Sequence, residues 1–222
     1  MTATEAQRET MVEQQIAGRG ISDAALLDAM HKVPREAFVP DAVREFAYED
    51  SPLPIEAGQT ISQPYIVALM IEAARIGSTD RVLEIGLGSG YAAAVMSRIA
   101  GQVCAIDRHA ELTALALGRM VRLGYDNVAI RTADGTAGWP ERAPFDAILV
   151  AAGGPELPAP LCRQLAIGGR LVMPVGDIEE QRLMRVTRAT AGSFESEDLG
   201  AVRFVPLVGA HGWTREGEAM PE

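Results

Sequence analysis

The chain has 222 residues, a formal net charge of −10 and 48% hydrophobic residues, a size and composition suited to one α/β domain with a sizeable core and opposed to disorder. The acidic balance disfavours nonspecific nucleic-acid binding, and no apolar run approaches the ~20 residues of a membrane helix. Two cysteines, no zinc-type Cys/His spacing and a polar start (Met1-Thr2-Ala3-Thr4-Glu5) predict no disulfide framework, no metal and a cytoplasmic location.

In chain order, residues 4–18 read as a helix with Met11, Val12 and Ile16 as its apolar face. Ser22 is placed to cap a second helix, Asp23 to Lys32. Pro34 and Pro40 isolate the stretch between them, and 41–47 suits a short helix. Asp50 to Pro64 holds three prolines and Gly58 and reads as a long ordered loop, a kind of segment that is often functional. Ile66, Leu69, Met70 and Ala73 then share one helix face. From Arg81, strands are expected at 81–85, 102–106, 127–132, 145–150 and 169–174, with helices at 90–100, 110–123 and 157–166. That alternation predicts an α/β fold: a doubly wound, mostly parallel sheet covered on both faces. Residues 182–188 alternate apolar with basic and predict an antiparallel strand; 201–208 predicts another, making an antiparallel C-terminal edge. The polar tail from Thr214 is expected to fray.

The densest signal is Arg81-Val82-Leu83-Glu84-Ile85-Gly86-Leu87-Gly88-Ser89-Gly90-Tyr91. A buried strand, a glycine loop and a helix start make the entrance to a nucleotide-type pocket. A dinucleotide loop, Gly-x-Gly-x-x-Gly, would require glycine where Tyr91 stands. The loop is instead preceded by Glu84, and an acid suits a cationic ligand better than a pyrophosphate. Asp107, closing the second strand, alone reads as a solvated strand-end acid; coupled to the glycine loop it is placed to accept ribose hydroxyls. Asp134-Gly135 ends the next strand and reads either as an adenine contact or as a plain turn.

Glu-x-Gly-x-Gly-x-Gly resembles the first motif of class I methyltransferases that use S-adenosyl-L-methionine, whose methionine end carries an ammonium and a sulfonium. The segment Gly58-Gln59-Thr60-Ile61-Ser62-Gln63-Pro64-Tyr65-Ile66-Val67-Ala68 resembles the signature of protein-L-isoaspartate O-methyltransferases. Val33–Pro40, Phe145–Val150, Gly168–Gly176 and Val202–Leu207 resemble further segments of that family. The resemblance implies a Rossmann-like fold and methylation of the free carboxyl of L-isoaspartyl and D-aspartyl residues in damaged proteins, initiating repair. It implies S-adenosyl-L-methionine as cofactor, with S-adenosyl-L-homocysteine as product. By position it makes Ser62 the active-site hydroxyl and gives cofactor contacts to Glu84, Gly86, Gly88, Gly90, Asp107, Asp134 and Gly135. Ile61, Ser62, Val202 and Arg203 become substrate contacts. Without it, Ser62 reads as an N-cap of the helix starting near Pro64, and Arg203 as a solvated strand charge. Isoaspartyl peptides and proteins are the expected partners of a monomer that binds neither nucleic acid nor membrane.

This gives one methyltransferase domain over 1–222: a helical and substrate-loop region (1–78), a cofactor-binding core (79–176), C-terminal strands (177–213) and the tail (214–222). Leu87 stands where the family usually has threonine, and Gly153-Gly154 where alanines are usual, which bears on loop flexibility. His31, His109 and His211 are scattered, and His109 reads as a surface residue. No catalytic base is needed, because a substrate α-carboxylate with a pKa near ~3.5 is already ionised at neutral pH. The alternatives are a carboxyl methyltransferase devoted to one peptide or natural product, an NAD-dependent oxidoreductase, and a non-catalytic adenosyl-ligand-binding module.

Overall fold

The computed structural model describes residues 2–214, so the expected fraying beyond Thr214 lies outside the described residues. Helix α1 (Ala3–Thr10) opens on a reciprocal cap: the Glu5 N–H donates to Thr2 Oγ1 at 3.2 Å and the Thr2 N–H to Glu5 Oε2 at 2.6 Å. The helix expected over 4–18 then changes pitch, with a π-helix at Met11–Ile16 and a 3-10 turn at Ala17–Arg19 that ends on Gly20. A bonding step of five residues brings Met11 and Ile16 onto one face, and both are buried with Val12. Helix α2 (Ala24–Lys32) is capped by Asp23, which accepts the Leu26 N–H at 2.9 Å; Ser22 does not cap it. The Ser22 and Asp23 N–H groups instead donate to Glu72 Oε1, at 2.7 and 3.0 Å.

The segment expected as a loop contains a small antiparallel hairpin, β1 (Leu53–Pro54) and β2 (Thr60–Ile61), turning through Glu56–Gly58. Helix α3 (Pro64–Ala74) follows directly. Then come β3 (Arg81–Ile85), α4 (Tyr91–Ser97), β4 (Gln102–Asp107), α5 (Ala110–Leu123), β5 (Val128–Thr132), β6 (Phe145–Val150), α6 (Ala159–Gln164), β7 (Leu165–Gly176), β8 (Gln181–Arg188) and β9 (Phe194–Val202). Among the described residues, seven strands form one sheet in the order β5-β4-β3-β6-β7-β8-β9. It is parallel from β5 through β7 and antiparallel at β8 and β9.

Strand alternation divides the core. Leu83, Ile85, Ile106, Ile148 and Val150 point into one buried cluster; Val82, Val103, Ala105 and Ala147 point into the other. Both faces of the parallel strands are therefore dry, which explains their continuous apolar runs. No described helix is long and apolar enough to cross a membrane.

Two boundaries differ from expectation. The helix expected over 157–166 stops at Gln164, because Leu165 is wholly buried and pairs with Phe145 as the start of β7. The strand expected over 201–208 is the end of a different one: β9 runs Phe194–Val202 and leaves the sheet before Arg203. Its sequence is acidic because it is an edge, and Asp198 pairs with Arg182 at 2.8 Å while Glu197 pairs with Arg185. Charges facing the basic residues of β8 replace the apolar alternation that would have marked a strand.

Candidate functional site

The carboxyl ends of β3, β4 and β6 meet where the chain order of the sheet reverses, the place where open α/β sheets bind ligands. A cleft of about 250 Å³ and a recess of about 60 Å³ lie there and share Thr60, Gly86, Gly88 and Ala151 as walls. Gly86, Gly88 and Gly90 all adopt positive φ (86°, 52° and 90°), the requirement behind their alternation. The loop is held by its backbone, since the Gly86 and Leu87 N–H groups both donate to Ile106 O, at 2.9 and 3.1 Å. Leu87 is buried in the core cluster, so the missing threonine leaves the loop's main-chain path supported.

Glu84 lines the recess on the face of β3 that also carries Val82. It is only 2% exposed, and its Oε2 has no hydrogen-bond partner among the described residues. Burial, aided by the nearby Asp107 charge, holds its carboxyl well above the ordinary glutamate range. Ile61 and Ser62 line the same recess. Ser62 does not cap α3. The N-cap position is Gln63, and Asp50 serves that helix end by accepting the Tyr65 N–H at 3.2 Å and the Gln63 side chain at 2.9 Å.

Asp107 and Gly135 line the larger cleft. Asp107 Oδ2 accepts the Gly88 N–H at 2.9 Å, and Oδ1 accepts the His109 N–H at 2.9 Å and faces His109 Nδ1 at 3.0 Å. A carboxylate offers about four lone-pair positions, so a diol reaching Asp107 would compete with the His109 ring. Gly135 is needed for closeness, because a Cβ there would lie 2.4 Å from Ile85 Cγ2.

Four expected site residues lie elsewhere. Gly90 faces α5, where a Cβ would meet Met120 Cε at 2.8 Å. The Asp134 carboxylate accepts the Thr136 N–H and Oγ1 at 2.9 and 2.7 Å and the Ala210 N–H at 2.8 Å. Burial raises the Asp134 carboxyl, but these donors and the His211 charge together outweigh it and hold it below the ordinary range. Asp134 thus clasps the C-terminal segment and does not line the cleft. Val202 packs on the core beneath, Arg203 is exposed, and the wall is formed by the next residues, Val205–Val208.

Three residues join the site without having been singled out for it. His109, read from sequence as a surface residue, lines the cleft. Arg35 is wholly buried, and its Nε donates to Ala47 O at 2.7 Å and Nη2 to Ser62 O at 3.0 Å, fixing the main chain at the recess. Burial pulls its guanidinium down to about 10, opposed by Tyr91, Tyr48 and Asp50. Thr60 bridges both hollows.

The sequence profile described as protein-L-isoaspartate(D-aspartate) O-methyltransferase matches residues 6–212. The chain belongs to this family. Among its protein-L-isoaspartate O-methyltransferase relatives, one from Pelobacter propionicus is 59% identical over 210 residues, covering 94% of this chain and 93% of the relative. One from Rhodopseudomonas palustris is 58% identical over 213 residues, covering 96% and 87%. A solved protein-L-isoaspartate O-methyltransferase superposes with a TM-score of 0.82 at 31% identity, covering 89% of this chain and 65% of that one. The crystal structure of a candidate family member from Plasmodium falciparum, in complex with S-adenosyl-L-homocysteine, gives a TM-score of 0.77 at 27% identity, with coverage of 89% and 96%. In this family member, the loop after β6 is tied through its main chain at Gly153 and Gly154. The Gly153 N–H donates to Val205 O at 2.8 Å, and the Gly154 N–H to Pro174 O at 3.1 Å. The two glycines are therefore pinned at both positions.

Proposed function

We propose that this chain transfers a methyl group from S-adenosyl-L-methionine to the free carboxyl of L-isoaspartyl and D-aspartyl residues in damaged proteins and peptides. The observation that carries the reading is the recess in which Glu84, buried and with an unpartnered oxygen, lies beside Ser62. The family profile and relatives near 59% identity support the same activity.

The residues present fit the cofactor. The unpartnered Glu84 Oε2 is a ready acceptor for an ammonium group and Asp107 for a ribose hydroxyl, while Gly135, packed closely on Ile85, borders the same cleft as Asp107. When bound, S-adenosyl-L-methionine supplies an electrophilic methyl on a positively charged sulfur. The chain itself orients. Its Ser62 hydroxyl is the donor for the substrate carboxylate, and Arg35 holds the Ser62 carbonyl from behind. The carboxylate is already ionised, so no base is required. Alignment alone can supply several kcal/mol, up to ~7–11 in well-ordered cases. Ser62 holds the carboxylate with one neutral donor, which leaves it reactive where a full ion pair would stabilise its charge.

The reading is tested by offering labelled S-adenosyl-L-methionine with an isoaspartyl peptide and, separately, with its aspartyl twin. Label is expected in the isoaspartyl peptide alone. Equal labelling of both, or of neither, would remove the isoaspartyl assignment.

A pH dependence follows from Glu84. Its carboxyl titrates above the ordinary range in the ligand-free fold, so the stability it contributes is full below the unfolded value of 4.5 and is lost as pH rises through the folded one. An ammonium bound at Oε2 favours the ionised form, so binding releases a proton. Affinity for S-adenosyl-L-homocysteine is therefore expected to rise with pH until Glu84 is ionised without ligand. Glu84→Gln is expected to flatten that slope and weaken binding by about 1.5–3 kcal/mol at neutral pH. Calorimetry across a pH series decides it; parallel slopes for both proteins would show that Glu84 is not the acceptor.

A further inference from the structure

The wall Val205–Val208 faces the cleft, yet β9 ends at Val202, on the far edge of the sheet. Between them the chain must cross back over the strand ends to reach β6. At Phe204 it has left the ladder, and the N–H and C=O there need partners. Gln181, the first residue of β8 and only 2% exposed, supplies both. Its Oε1 accepts the Phe204 N–H at 2.8 Å, and its Nε2 donates to Phe204 O at 3.2 Å. One side-chain amide thus stands in for a neighbouring strand, as its single planar donor–acceptor pair allows.

The next step of the crossing uses Gly153, at the loop after β6. Its N–H donates to Val205 O, and its carbonyl accepts the Leu207 N–H, each at 2.8 Å; the Trp213 indole N–H donates to the same carbonyl at 2.9 Å. A Cβ on Gly153 would lie 2.5 Å from Gln181 Nε2 and 2.6 Å from its Cδ. The Gln181 amide occupies the space of a side chain at position 153. Glycine there and glutamine at 181 are therefore two halves of one arrangement.

We propose that Gln181, with Gly153 as its obligatory neighbour, is a positioning residue that sets the height of the Val205–Val208 wall and thereby the width of the cleft that Asp107 and Gly135 line, the seat of the cofactor's adenosyl part. This rests on the methyltransferase reading above. It concerns the cofactor side of the site, since Val205–Val208 share their cleft with Gly86, Gly88, Asp107 and Gly135, while the recess lined by Ser62 has none of Val205–Val208 in its wall.

The test compares the native chain, Gln181→Met, Gln181→Ala, Gly153→Ala and the double variant Gln181→Ala with Gly153→Ala. Methionine keeps the length and removes both hydrogen bonds. KM and kcat for an isoaspartyl peptide, affinity for S-adenosyl-L-homocysteine and melting temperature are measured on each. Gln181→Met is expected to weaken S-adenosyl-L-homocysteine binding about tenfold with peptide kcat and KM at saturating cofactor changed less than about threefold, the loss of roughly one well-placed hydrogen-bonded contact. Gly153→Ala is expected to do the same by displacing the amide. Adding Gly153→Ala to a chain that carries Gln181→Ala, where the amide is gone, is expected to cost little more. Strictly additive effects, or an unchanged affinity for S-adenosyl-L-homocysteine in a folded Gln181→Met or Gln181→Ala protein, would overturn the proposal. Failure of the native chain to methylate the peptide would instead count against the methyltransferase reading, while cooperative loss of stability across the same variants would still report the pairing.

Discussion

Gly88→Val is expected to abolish binding of S-adenosyl-L-homocysteine while leaving the protein folded. Gly88 sits at φ +52°, forms part of the wall of both the cleft and the recess, and donates its N–H to Asp107 at 2.9 Å. A Cβ there would meet nothing nearer than Ile55 Cδ1, at 3.6 Å. The substitution is thus not a core clash. Its folding cost is that of a branched residue held in the left-handed region, roughly 1–3 kcal/mol. The branches would fill the junction of the two hollows, and a ligand spanning them loses its path. Affinity is expected to fall more than about a hundredfold, or ~2.7 kcal/mol. Gly88→Ala separates the two effects, because it carries the same backbone strain with less volume, and is expected to bind with intermediate affinity. Calorimetric titration of both variants beside their melting temperatures measures this; native affinity in a folded Gly88→Val protein would place the pocket elsewhere.

How far such a site can be read without coordinates depends on the range of the interactions that build it. Glu84, Gly86, Gly88 and Asp107 were legible because they sit at or just beyond the ends of strands that apolar runs make visible, with Val82, Leu83 and Val103 wholly buried. Ser62 and Ile61 were legible from the loop's resemblance to a known signature. Gly90 and Asp134 belong to the same motifs, but their local pattern could not tell a ligand contact from a packing or clasping role. Gly90 answers to Met120, thirty residues away, and Asp134 to Ala210, seventy-six away. The C-terminal wall was displaced by a few residues for a related reason. A strand sustained by cross-strand ion pairs, such as Arg182 with Asp198, leaves no period-two apolar trace. His109 and Arg35 went unrecognised because a histidine after a strand-end acid and an arginine between prolines look like ordinary surface residues. Only the fold shows that one meets Asp107 and the other lies under Ser62.

Ser62→Ala is expected to lower turnover on an isoaspartyl peptide at least about tenfold, with cofactor affinity nearly unchanged, because a donor that matters only as the carboxylate reacts appears in the rate constant. The structure removes the competing explanation. Were Ser62 the cap of α3, alanine would cost about 1 kcal/mol of stability. The cap position is Gln63, which itself offers no capping side chain, and Asp50 takes the Tyr65 N–H from across the loop. The tie between Arg35 and Ser62 runs through the main-chain carbonyl, at 3.0 Å, and survives truncation of the side chain. Stability of Ser62→Ala is therefore expected to stay within about 0.5 kcal/mol of the native chain. Ser62→Thr keeps the hydroxyl and should retain more activity than alanine, though its methyl must fit a recess of about 60 Å³ shared with Met70 and Ile71. The measurement is kcat and KM on one isoaspartyl peptide for all three proteins, with melting temperatures alongside. Native turnover in Ser62→Ala would strip the hydroxyl of its orienting role and pass that task to the main chain around Ile61, which lines the same recess. A stability loss without a rate loss would restore capping as the reason a serine stands there.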